Sequence, residues 1–187
     1  MKTLLYRSLI LTIAISLQLT LHSFDGLAAD APSQGISHLK MTSSAFQNNK
    51  FIPPEYTAEG KDISPPLTWE NIPEGTRSFA LISDDPDAAN GMWIHWVLYN
   101  IPPTLNHIEE GGKNLPSSVV LGTNSFGNLG YNGPNPPQGV HHYHFNLYAL
   151  DATVPLEKGA TNKELLEAIE DHILDVVTLT GLYQKRS

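Results

Sequence analysis

Fourteen prolines and fourteen glycines interrupt this chain of 187 residues at short intervals. Proline removes a backbone donor and glycine weakens regular elements, so what lies between them must be short. The intervening apolar runs are SFALISD, MWIHWVLYNI, HHYHFNLYAL and VVTLTGLY. Runs of that length, rich in β-branched and aromatic residues and bounded by turn formers, predict a mostly β domain with long ordered loops. No internal repeat or low-complexity tract is visible.

Alternation sorts the side chains. In VHHYHFNLYALD, Val140 to Asp151, a strand places His141, Tyr143, Phe145, Leu147 and Ala149 on one face. His142, His144, Asn146 and Tyr148 fall on the other, where His142 and His144 are expected to face solvent. The first set grades from polar to apolar, as a strand does when its start lines a pocket and its remainder enters a core. MWIHWVLYNI is apolar on both faces, as in a central strand covered on both sides. Strict alternation groups Trp93, His95, Val97 and Tyr99 against Ile94, Trp96 and Leu98. A histidine in such a strand needs a partner or a cavity, because an unpaired buried polar group is costly. One helix is predicted late in the chain. Thr161 and Glu164 form a capping box, and Leu165, Ile169 and Ile173 form its apolar stripe, with His172 off the stripe and solvated. His107, beside an acidic loop, is expected at the surface.

The first residues read as an address. Lys2 and Arg7 precede the apolar run LILTIAISLQLTL, and DGLAAD then supplies small residues for cleavage, as in a secretory signal peptide. Cleavage after Ala29 divides the chain into a leader, 1–29, and a domain, 30–187. The chain has no cysteine, so an oxidising destination adds no disulfide, and the expected location is the periplasm or the cell exterior. The leader carries two basic residues and one acidic one, so its loss moves the formal charge from −8 to −9. An acidic domain without a Lys/Arg stripe is a poor nucleic-acid or anionic-membrane binder. Any anion it holds must be held by a local device.

Two segments carry the chemistry. DDPDAA, Asp84 to Ala89, is a turn at the end of an apolar strand, where Asp and Pro are both turn formers. GYNGPNPPQG, Gly130 to Gly139, is stiffer than a connection requires: its Pro-Pro step fixes an extended wall, and its free backbone N–H groups can form an anion-binding concavity. With these segments in place, the chain resembles the phosphatidylethanolamine-binding protein family, also called Raf kinase inhibitor-like proteins. The resemblance runs from TSSAFQNNKFIPPEYTAEG through ISPPLTW, IPEGTRSFALISDDPDA, WIHWVLYNIP and NSFGNLGYNGPNPPQGVHHYHFNLYALD to LTGLYQKR. The paired signatures, DPDA with W-x-H-W and G-P-x-P-P-x-G-x-H-x-Y, make it specific.

The resemblance implies a fold of two antiparallel sheets with Greek-key connections, one or two short helices, and a small pocket for phosphate-like anions or phospholipid headgroups. It places Asp85, His95, His141 and Tyr143 in that pocket, with Trp93 at its lip and Pro136 and Pro137 as its wall. It leaves Asp87 to brace the loop. Two imidazoles and a phenol suit phosphate oxygens, with Asp85 holding a histidine in the donating tautomer. Charge-assisted bonds of ~1.5–3 kcal/mol set against an association cost of roughly 4 kcal/mol or more imply micromolar to millimolar affinity. That affinity is expected to rise as pH falls from about 8 to 6 and the imidazoles gain protons.

Three rival readings differ in class. A zinc site could use His95, His141 and Asp85, whereas the H-x-H pair of His142 and His144 lacks a later glutamate at useful spacing. A hydrolase lacks its nucleophile: there is no G-x-S-x-G, cysteine or H-E-x-x-H. The expectation is therefore a binding protein without enzymatic activity, metal or cofactor. The alternative is an interaction protein that inhibits a secreted protease by docking, and homodimerisation stays open. Two departures from the family stand out. Ala89 replaces the proline of DPDAP, so a less rigid entrance loop is expected. The segment after GLYQKR is too short for the C-terminal helix that borders the pocket in eukaryotic relatives, so control by that helix is not carried over.

Overall fold

A computed structural model describes residues 38–186. The leader and the first residues of the expected 30–187 domain lie outside the described residues. The regular elements, in chain order, are β1 (Lys40–Thr42), β2 (Lys50–Phe51), β3 (Leu67–Glu70), β4 (Ser78–Asp85) and β5 (Trp93–Ile101). They continue with β6 (His107–Ile108), β7 (Val120–Leu121), β8 (Val140–Leu150), α1 (Asn162–Ile169) and β9 (Ile173–Gln184). A three-stranded sheet has the order β1-β3-β6, and a six-stranded sheet the order β2-β9-β8-β4-β5-β7. Every pairing is antiparallel except the two-residue contact of β2 with β9. The mostly β, two-sheet architecture matches the expectation from the sequence.

Apolar residues occupy both faces of β4 and β5 because each face meets a different partner. Between the sheets, Met41, Leu67, Trp69 and Ile108 pack against Phe79, Leu81, Leu98, Phe145 and Leu147. On the outer face, Leu165 and Ile169 of α1 cover Ala80, Ile82, Val97, Tyr99 and Leu150. Strand β8 alternates as predicted: His141, Tyr143, Phe145, Leu147 and Ala149 are all buried on the inter-sheet side.

Two expectations fail, each for a physical reason. In β5, strict alternation breaks at a bulge: Ser83 pairs with Trp96 and Asp84 with Ile94, so His95 and Trp96 together stand opposite one residue. The extra residue shifts the pleat by one and moves the side chains from Trp96 to Tyr99 to the other face, until a second irregularity between Leu98 and Ile101 returns Ile101 to the inter-sheet core. Trp96 and Leu98 therefore enter the inter-sheet core, while Val97 and Tyr99 join Ile94 under the helix. Nor is β5 central, because only the two-residue β7 lies beyond it. The second failure concerns the helix, whose capping box forms as expected. Thr161 Oγ1 accepts from Glu164 N at 3.3 Å, and Glu164 Oε2 accepts from Thr161 N at 2.7 Å. But α1 ends at Ile169, and a 3-10 turn, Glu170–His172, leads directly into β9. Ile173 is 40% exposed and pairs with Leu150 as a strand residue. The β-branched run that follows gains a full ladder against β8, which outweighs one more helical turn. His172 lies in that turn, with Nδ1 2.8 Å from Asp151 Oδ1. His107 is exposed, as expected.

Candidate functional site

Three strand ends meet at one end of the inter-sheet face. The end of β4 supplies Asp85, the start of β5 supplies Trp93 and His95, and the start of β8 supplies His141 and Tyr143. Register enforces the meeting: Asp85 pairs with Trp93 across one ladder, and Asp84 pairs with His144 across the other. The bulge sits at this same corner, where such irregularities re-aim side chains.

The fourth wall is a loop in place of a neighbouring strand. Ser125 N donates to Ile94 O, Ser125 Oγ accepts from Ile94 N, and Asn132 N donates to His95 O at 3.0 Å. Buried Asn124 ties the loop together: its carbonyl accepts from Phe126 N and Asn128 N, and its amide donates to Gly130 O and Asn132 Oδ1. Asp62, in the left-handed region at φ 56°, accepts from Gly133 N. Gly133 has no room for a side chain, since a Cβ there would stand 2.6 Å from Tyr56 O and 2.9 Å from Asp62 Oδ1. Pro136 and Pro137 follow as the wall.

All seven residues expected at the site line a single cavity of about 280 Å3, joined by Ala88, Ala89, Asn90, Phe126 and Asn135. Phe126 is the addition that matters most. Its ring packs edge-on against Trp93 and His95, each at a centroid distance of 5.5 Å. No spacing rule singles it out. A larger groove of about 440 Å3, lined by Trp96, Leu115, Leu121 and Tyr131 among others, contains none of the expected residues.

The hydrogen bonds define which atoms face the cavity. Asp85 Oδ2 lies 2.8 Å from His141 Nδ1, and Asp85 Oδ1 accepts from Asp87 N at 2.9 Å. His95 Nδ1 lies 2.6 Å from the Asn132 carbonyl oxygen. Carboxylate and carbonyl only accept, so each Nδ1 carries a proton, and in a neutral ring the outward Nε2 is a lone pair. Asp85 therefore takes the Nδ1–H of His141. Burial depresses the His95 imidazole below its ordinary range, offset in part by the Asn132 carbonyl and the Asp85 and Asp62 charges. Tyr143 is fully buried, and its hydroxyl makes no hydrogen bond of normal geometry within the protein. Burial first, and the nearby Asp85 charge second, raise its phenol far above the usual tyrosine range.

Each histidine of HHYH is matched to an aspartate of DDPD. His141 meets Asp85, His142 Nδ1 lies 2.7 Å from Asp87 Oδ2, and His144 Nδ1 lies 3.3 Å from buried Asp84 Oδ1. Asp87 also accepts from His142 N at 2.8 Å, so it braces the loop. His142 and His144 sit away from the cavity; His142 is exposed, as expected, whereas His144 is only 32% exposed at its side chain. No group of three or more metal-ligating side chains occurs among the described residues.

Residues 42–184 match the family model described as phosphatidylethanolamine-binding protein. The chain belongs to the phosphatidylethanolamine-binding protein family. The UPF0098 protein of Methanothermobacter thermautotrophicus is 47% identical over 150 residues, covering 79% of this chain and 99% of that one. A UPF0098 protein of Pyrococcus horikoshii is also 47% identical over 150 residues, covering 77% and 76%. Among solved structures, the family homolog CT736 of Chlamydia trachomatis superposes with a TM-score of 0.76 at 38% identity, covering 80% of this chain and 99% of that one. Escherichia coli YbcL, a member of the mammalian family, gives 0.75 at 30% identity, also covering 80% and 99%.

Proposed function

We propose that the cavity is a recognition site for a small phosphate-type anion, free or as a headgroup such as phosphoethanolamine, and that the protein is a binding module without catalytic activity. The observation that carries this reading is the convergence of His95, His141 and Tyr143 on one cavity with polar atoms unused by the protein. The Tyr143 hydroxyl makes no hydrogen bond of normal geometry, although Asp85 lies near it, and neither imidazole Nε2 has a protein partner. An unpartnered buried hydroxyl is costly unless a ligand or water completes it. The Asp85–His141 pair has the form of an acid–base couple, but the cavity lining includes no serine, threonine, cysteine or lysine to serve as nucleophile. Burial makes Tyr143 a poor one. The basic residues, apolar run and small residues of 1–29 support a working location outside the cytoplasm.

Titration of the protein with inorganic phosphate, followed by calorimetry and by NMR of the histidine rings, tests the reading. Phosphate should perturb His95 and His141 but not His172. Replacing His141 with Ala should weaken binding about ten- to a hundredfold, the equivalent of ~1.5–3 kcal/mol for a charge-assisted hydrogen bond. His142→Ala should change it less than about twofold, as expected for a side chain on the far face. Equal effects of the two changes, or no response to phosphate, would refute the site.

A further inference from the structure

We propose that the cavity selects phosphomonoesters over phosphodiesters, because the buried His95 imidazole meets a ligand as a hydrogen-bond acceptor and a monoester can bring its own proton. The inference rests on the anion-binding reading above and specifies its ligand class.

The two Nδ1 atoms are bound to groups that only accept, the Asn132 carbonyl at 2.6 Å and the Asp85 carboxylate at 2.8 Å. A neutral imidazole has one N–H, so the Nε2 of buried His95 is a lone pair. Beside it stands one donor without a hydrogen bond of normal geometry, the Tyr143 hydroxyl. A phosphomonoester monoanion fits this inventory: its P–OH donates to an Nε2, and another oxygen accepts from Tyr143. A phosphodiester has only acceptor oxygens and meets the His95 lone pair unless that ring first takes up a proton. For His95 that step works against burial. The groups facing His95 are the Asp85 and Asp62 carboxylates and the rings of Tyr143 and Phe126. Those facing His141 are Asp85, Asp87 and the Tyr143 ring. In a monoester the proton comes instead from the phosphoryl group, whose second ionisation lies near pH ~6. The intact headgroup of a phospholipid is a diester, so a detached, terminal phosphoryl group is the better ligand.

Methyl phosphate and dimethyl phosphate differ by one methyl group and isolate the proton from size. At pH 6 methyl phosphate should bind at least tenfold more tightly than dimethyl phosphate. Its affinity should level off below pH 6, while that of the diester continues to climb toward pH 5 and narrows the gap. Nitrogen-15 NMR of the free protein should show the Nδ1–H tautomer at His95. Affinities within threefold of each other at pH 6, or an Nε2–H tautomer at His95, would overturn the selectivity and leave the anion site standing. Binding of neither ester, with inorganic phosphate also silent, would remove the anion site and the selectivity with it.

Discussion

His95 is held neutral by its surroundings, and that has a consequence for stability as well as for binding. Its folded-state pKa lies below the ordinary value of 6.5 because burial disfavours the imidazolium. The unfolded chain therefore takes up a proton before the native protein does. Stability is full above about pH 6.5, declines as pH falls toward the depressed value, and loses nothing further from this group below it. The urea midpoint should accordingly drop between pH 7 and 5, and the drop should be shallower in His95→Gln; an equally steep decline in the variant would count against the assignment. Asp84, raised by burial on the opposite face, acts in the other sense, so the comparison of variant with parent at each pH isolates His95. At this scale much was legible. Alternation alone separated His141 and Tyr143 from His142 and His144. The matching of each histidine to one aspartate was not, since it depends on the register of β8 against β4.

Local propensity and tertiary pairing divide the labour within the elements. The capping box fixes where α1 begins, whereas the ladder against β8 fixes where it stops. Leu165 and Ile169 are fully buried and Ile173 is 40% exposed, although a helical stripe would make all three equivalent. Ile169→Ala should cost about 2–5 kcal/mol through the cavity it leaves. Ile173→Ala should cost less than about 1 kcal/mol, as surface changes usually do. Denaturant melts of the two variants check this, and comparable losses would restore the longer helix. The bulge in β5 follows the same logic. The run MWIHWVLYNI is apolar throughout, so its pattern has no polar residue to reveal a slip of one. Only pairing with β4 shows that His95 and Trp96 share a side.

On the scale of the whole molecule, an acidic chain holds its candidate anion site by burial and geometry rather than by net charge. A ligand that binds only the folded state stabilises it by mass action. Phosphate at a hundred times its dissociation constant should therefore add about 2.7 kcal/mol, or about 5–10 °C of melting temperature for a domain this size. His141→Ala should abolish most of that increment at the same phosphate concentration, and an undiminished shift in a thermal melt would place the anion elsewhere. What the sequence by itself determined is a mostly β architecture, read from strand period and breakers, and, through the resemblance carried by its paired Asp-Pro-Asp and Pro-Pro signatures, the residues that line the candidate cavity. Two features were left to the tertiary structure. One is the face taken by each side chain from Trp96 to Tyr99 of β5, which a single unpaired residue reverses. The other is the hydrogen-bonding sense of the cavity. It depends on the Asn132 carbonyl and the Asp85 carboxylate reaching the inner nitrogens of two histidines, across 37 and 56 residues of chain.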